Sequence, residues 1–190
     1  MMKSLRVPIL LAWLALVFSA LACSVFIGGP SYPDTRIPVS EDAVKSLQDQ
    51  IRQAVEAGKA SGQVTLNISQ EQLTSMLAMR LAQQQDPFIT DPQVYLQDGQ
   101  VKIYGRATEG IFQATVGIVL TASVDASGQP VVQLVSADFG PLPTPEGLNK
   151  TITALVQEAF TGAIGPAALG FRLESITVTN GQMTLSGRIR

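Results

Sequence analysis

The chain has 190 residues, 46% hydrophobic and 15% charged, a composition that excludes bulk disorder and favours one folded domain. Histidine is absent, which excludes Ser-His-Asp and Cys-His catalysis and removes the commonest transition-metal ligand. Without Lys3 and Arg6 of the first segment, 11 basic residues face 15 acidic ones, so neither nucleic acid nor anionic lipid headgroups have a basic surface to bind.

Residues 1–23, MMKSLRVPILLAWLALVFSALAC, have the order of an export signal. Lys3 and Arg6 form a positive start, Val7 to Phe18 an apolar run interrupted by Pro8, and Ser19 to Ala22 a mostly small-residue stretch before Cys23. The run is shorter than the roughly 20 residues a membrane-spanning helix needs. Ala20-Leu21-Ala22-Cys23 resembles the lipobox of bacterial lipoproteins, with Leu in the second rather than the first place. That resemblance implies lipid on Cys23, an anchor in the cell membrane or outer membrane, and a domain outside the cytoplasm. The alternative is an ordinary cut after Ala22 that leaves a free thiol. Residues 24–39, rich in Gly, Pro and Ser, are expected to be a flexible tether, and 40–190 a single domain.

Ser40 is placed to cap a helix that opens with Glu41 and Asp42, carries Val44, Leu47, Ile51 and Val55 on one face, and stops at Gly58. Val64, Leu66 and Ile68 alternate as a strand. Ser69 and Gln72 form a capping box for a second helix with the stripe Leu73, Met76, Leu77 and Leu81. Val94–Leu96 and Val101–Arg106 predict a hairpin about Asp98-Gly99. Ile111 to Asp125 is a long candidate strand, with Phe112, Ala114, Val116, Ile118, Leu120, Ala122 and Val124 on one face. Val131 to Phe139 returns after Ser127-Gly128. A Pro-rich loop then leads to a helix bearing Ile152, Leu155, Val156, Ala159 and Phe160, closed by Gly165-Pro166. A last hairpin turns at Asn180-Gly181.

The two short hairpins align without gaps, VYLQDGQVKIYGR (94–106) on ITVTNGQMTLSGR (176–188). Turn preference explains the Gly at each turn, but not the matched Gly-Arg ends. A duplicated hairpin, or convergence on two equivalent places in one sheet, accounts for both. The expected class is α+β: about seven strands in a long, curled antiparallel sheet, packed with three helices.

The capped unit VTLNISQEQLTSMLAMRL, the meander of long strands, the late apolar helix and the terminal ITVTNGQMTLSGR resemble small exported bacterial proteins of the tubular lipid-binding (TULIP) superfamily, single-module phospholipid-binding-like proteins. The resemblance spans about residues 61–190 and is diffuse. It implies that a curled sheet wraps a helix and holds the acyl chains of a phospholipid or glycolipid in an apolar groove. Candidate lining residues are Met76, Leu77, Leu81, Phe112, Val116, Ile118, Leu120, Leu155 and Phe160. Each could equally be close-packed core.

No enzyme, cofactor or metal site is expected. Glu71, Asp98, Asp125, Asp138, Glu146, Glu158 and Glu174 form no recognisable catalytic pair. The glycines at 28–29 and at 162 and 165 lack the strand–helix setting of a phosphate loop. The rival to lipid binding is a non-catalytic envelope scaffold or partner-binding module. Ser24, which follows the anchor cysteine, is not the Asp that retains some lipoproteins at an inner membrane.

Overall fold

The structure, a computed structural model, describes residues 24–161 and 171–189. The expected export signal with Cys23 and the expected Gly165-Pro166 stop lie outside the described residues, as do the side chains of Leu155 and Phe160. Within them the chain runs β1 (Val25–Phe26), α1 (Glu41–Ser61), β2 (Gln63–Ser69), α2 (Gln70–Ala82), β3 (Thr90–Gln97), β4 (Gln100–Glu109), β5 (Phe112–Val124), β6 (Pro130–Asp138), α3 (Leu148–Thr161), β7 (Phe171–Thr179) and β8 (Gln182–Ile189). The α+β class and three helices are as the sequence predicts. The strands number eight among the described residues, because β1 forms within the expected tether.

Local chemistry sets the helix ends. The backbone N–H groups of Asp42 and Ala43 donate to Ser40 Oγ at 3.1 and 3.4 Å, satisfying two of the first-turn donors of α1. At α2, Gln72 N–H donates to Ser69 Oγ (3.1 Å) and Ser69 N–H donates to Gln72 Oε1 (2.9 Å), completing the capping box. Gly58, expected to end α1, lies inside it. The helix runs on to Ser61 and is capped by Gly62 at φ 74°, whose N–H donates to Gly58 O. A Cβ at Gly58 would lie 2.3 Å from Val64 Cγ2, so this glycine lets α1 pack closely on β2.

The strands form a strongly curled, mostly antiparallel system, divided into two sheets where one was expected. In the larger sheet the order is β1-β5-β4-β3, with β6 also on β5. β4 takes one edge of β5, from Leu120 to Phe112. The other edge is shared: β6 covers Gly117 to Val124, and β1 pairs in parallel with Phe112 and Gln113. The smaller sheet is β2-β8-β7. Its last hairpin is pinned to the larger sheet at both ends. Gly181 N–H donates to Leu96 O (2.8 Å), and Arg172 Nη2 donates to Ala126 O (3.0 Å).

The two similar hairpins sit in different sheets, so the idea of equivalent places in one sheet does not hold. Their backbones nonetheless match in detail. Val94 pairs with Ile103 as Ile176 does with Leu185, and Gln97 with Gln100 as Thr179 does with Gln182. Both first strands shift register at aligned positions, between Thr90 and Gln93 and between Leu173 and Ser175. The matched glycine lies against each irregularity. A Cβ at Gly105 would stand 3.0 Å from Thr90 O, and one at Gly187 2.0 Å from Arg172 O. Close backbone approach at a bulge therefore explains the Gly of both Gly-Arg ends.

Residues 24–39, expected to be a flexible tether, lie instead as a strap along one edge and across the outer face of the larger sheet. After β1, Thr115 N–H donates to Gly28 O (2.9 Å), and Pro30 meets Gly117. Further on, Tyr32 Oη donates to Asp91 O (2.5 Å) and Arg36 Nη1 pairs with Asp91 Oδ2 (2.7 Å). Tyr95 Oη donates to Thr35 O. Buried Gln93 acts as a strand partner: Ile37 N–H donates to its Oε1 (2.6 Å) and its Nε2 donates to Ile37 O (3.2 Å). Ser40 N–H then donates to Ser75 Oγ (3.0 Å) on α2. The prolines of this segment favour extended backbone, and extended backbone serves a docked strap as well as a free tether.

Candidate functional site

The inward face of β5 is as predicted over its middle. Ala114, Val116, Ile118 and Leu120 are buried, while Ala122 and Val124 are only partly so. Val116, Ile118 and Leu120 join Leu81 of α2 and Leu148 and Ile152 of α3 in one apolar cluster, with Leu77 packed against it. Leu81 is the buried member of the α2 stripe; Leu73, Met76 and Leu77 are half-buried. Met76 faces the other cluster, that of the smaller sheet. The groove candidates are thus divided. Leu77, Leu81, Val116, Ile118 and Leu120 come together in the cluster that Leu148 and Ile152 of α3 join, Met76 does not, and Phe112 stands at the far end of β5, 45% exposed.

The most buried residues of α2 include a polar pair the apolar pattern does not reveal. Thr74 Oγ1 accepts from Val94 N–H (3.0 Å) on β3, and Ser75 holds the end of the strap. Both side chains are fully buried because the bonds they make replace water. Capping and turn rules carry no signal for such contacts, which depend on the strand brought alongside.

Two hollows open on the surface. One, of about 630 Å³, is lined by Asp125, Gly128, Arg172, Glu174 and Arg188 among others. Its charges are matched internally: Arg188 Nε lies 2.7 Å from Glu174 Oε1, and Arg172 donates to Ala126 O. The other, of about 710 Å³, is apolar but for Glu109, and is formed by three separate stretches: Ile27, then Gly110 to Phe112, then Pro141 to Pro143. Phe112 is the one groove candidate that lines it. Around it stand Val25, Phe26 and Ile111, exposed by 46%, 63% and 53%.

The acidic residues considered as catalysts serve local structure where their contacts are described. Asp125 Oδ1 accepts from the N–H groups of Ser127 and Gln129, both at 2.8 Å, which closes its turn. Asp138 accepts from Gly140 N–H (2.8 Å), Asp98 pairs with Lys102 (3.1 Å), and Glu174 with Arg188. Among the described residues no three Asp, Glu, Cys or His side chains are grouped to hold a metal ion, and no helix is long and apolar enough to cross a membrane.

The strap contact has its own electrostatics. Burial against β3 pushes the Tyr32 hydroxyl up to about 12, with the neighbouring Asp91 carboxylate adding to the rise and Arg36 and Arg106 opposing it. Burial also raises Tyr95. The Arg36 guanidinium stacks 4.9 Å from the Tyr32 ring, so the two strap residues support each other over Asp91. Asp91 has φ 50°, an unusual backbone for a residue other than glycine, and both strap residues bind it there.

No family model matches the chain, and no curated protein or solved structure matches it.

Proposed function

We propose that this protein is an exported lipoprotein, anchored through Cys23, that binds an acyl-chain lipid in an apolar groove and performs no catalysis. The groove lies between α3 and the larger sheet. The observation that carries the reading is the convergence there of Leu77, Leu81, Val116, Ile118 and Leu120 with Leu148 and Ile152 of α3, ringed by half-buried Ile103, Val132, Leu134 and Leu142. Both α2 and α3 pack on this apolar face, and lifting α3 would open a site that needs no polar chemistry. Each methylene of an acyl chain then contributes about 0.8 kcal/mol on burial. The resemblance to tubular lipid-binding proteins points the same way, and the use of Asp98, Asp125, Asp138 and Glu174 in turns and ion pairs fits a binding module.

A second reading has a specific observation behind it. Val116, Ile118 and Leu120 are 0%, 2% and 4% exposed and pack within the same cluster. A core closed in this way favours an envelope scaffold or partner-binding module without a lipid ligand.

Native mass spectrometry separates the two. The chain from Ser24 onward, incubated with a bacterial lipid extract, should gain the mass of one phospholipid or glycolipid. Leu134→Asp, with an unchanged circular dichroism spectrum, should lose that adduct. A folded chain that takes up no lipid at any ratio leaves the scaffold reading.

A further inference from the structure

The apolar end of the larger sheet is unusual for a surface. Among the described residues six large apolar side chains are strongly exposed, and four of them, Val25, Phe26, Ile111 and Phe112, sit together there. The clustering follows from pairing: Val25 lies opposite Phe112 in the parallel β1–β5 register, and Val25 N–H donates to Ile111 O (2.7 Å). Alternation along β1 turns Phe26 to the other face, so the sheet is apolar on both sides at this end. Ile27, Pro141, Leu142 and Pro143 extend it into the neighbouring hollow, where Glu109 is the single charged lining residue. Isolated exposed apolar residues are ordinary, but a contiguous patch marks a contact surface.

Its place in the chain identifies the partner. Val25 is two residues from Cys23, which puts the two Cα atoms within about 7 Å of each other. A free tether of residues 24–39 would let the domain range up to about 50 Å from its anchor. Pairing of β1 with β5 removes that slack and leaves Ser24 as the leash. Acyl chains on Cys23 would therefore enter the bilayer beside this patch. We infer that the end of the larger sheet formed by β1, the β4–β5 turn and the loop after β6 is a membrane-contact face, seated on the phospholipid surface that holds the anchor. This rests on the lipid-anchor part of the proposed function and is independent of an acyl groove. With one carboxylate and no basic residue lining the hollow, contact comes from apolar side chains at the headgroup–acyl boundary rather than from charge.

Trp13 is the sole tryptophan of the chain, so a new one can report on the patch alone. The full-length chain carrying Trp13→Phe and Phe112→Trp would be expressed with its own export signal, weighed for acylation, and reconstituted into phosphatidylcholine vesicles with bromine on the lipid acyl chains. A companion chain would carry Trp13→Phe with Val135→Trp. Val135, 54% exposed, lies in β6 opposite Val119 and Leu120, roughly 25 Å further along β5. Phe26→Trp, at a 63% exposed site, serves if Phe112→Trp perturbs folding. The expected result is acylated protein whose patch tryptophan is quenched about threefold while the Val135→Trp chain is barely quenched. Acylated, vesicle-bound protein with both tryptophans equally unquenched overturns the contact face and leaves the anchor standing. A blue-shifted but unquenched patch tryptophan also overturns it, in favour of a protein or a second copy covering the patch. Protein without acyl mass removes the anchor and the inference together.

Discussion

The hairpins β3–β4 and β7–β8 share register, bulge position and a glycine at the bulge, yet their outer faces differ completely. The first presents Gln93, Tyr95 and Tyr104, and the strap lies over them or beside them. The second presents Ser175, Thr177 and Ser186 at the aligned positions, with Ser175 and Thr177 exposed. The backbone of each copy follows from turn and bulge residues. What covers it follows from the three face positions, where two tyrosines and a glutamine supply area and hydrogen bonds that small hydroxyl side chains do not. One hairpin became the seat of the N-terminal strap and the other stayed open.

The sharpest test of this pairing is at the glycines. Gly187→Ala sets a Cβ 2.0 Å from the backbone oxygen of Arg172, which cannot move aside without breaking the ladder. We expect a loss of about 3 kcal/mol in urea unfolding, the upper range for overpacking. Gly105→Ala, with 3.0 Å to Thr90 O, should cost about 1 kcal/mol. Equal losses would mean that the two bulges are equally tight, against the difference in their close approaches.

The face positions come next. Gln93→Ala removes both hydrogen bonds to buried Ile37 and should cost about 2 kcal/mol, with faster proteolysis within residues 31–39. Ser175→Ala, at the aligned exposed position, should stay within about 0.5 kcal/mol. A strap that resists protease in the Gln93→Ala chain would show that other contacts seat it.

The smallest effect is alkaline. The folded-state pKa of Tyr32 is raised above its ordinary value of 10.0 to about 12, so its contribution is complete below pH 10 and is lost as the pH rises toward 12. Absorbance at the tyrosinate band should show a late-titrating tyrosine, and strap proteolysis should increase over the same range. Tyr32→Phe should lessen that pH dependence and leave the part that comes from Tyr95, whose hydroxyl also holds the strap. Nothing on the aligned face of β7–β8 titrates there, so the second hairpin should be indifferent.

Much of the fold is legible in the sequence because the signals are local. Ser40, Ser69 and Gln72 satisfy donors within three residues of themselves, and Asp98-Gly99 adopts the two positive φ values of a tight hairpin turn. The alternation of β5 is legible over Ala114 to Leu120 and fails at Phe112, since alternation tells which side a residue faces and not where the core ends. Gly58 misleads for a related reason: glycine ends helices and also admits close packing, and only β2 lying against it distinguishes the two. Of the groove candidates, five converge because helical and strand periodicity report a shared apolar face. Thr74 and Ser75 are hidden from that reasoning because their partners are supplied by distant chain.

By itself, then, the sequence determined the three helices with the N-caps of α1 and α2, the long strands, and the shared backbone of the two hairpins, all of which depend on contacts within a few residues. Tertiary structure alone decided that the strands divide into two sheets, that residues 24–39 dock as a strap, and that apolar side chains gather uncovered at the β1 end of the larger sheet. These outcomes depend on which surfaces remain unpaired once the local elements have formed. An extended Gly- and Pro-rich segment has nearly the same backbone whether it floats or binds; Gln93, Asp91 and the open edge of β5 gave it a place to bind.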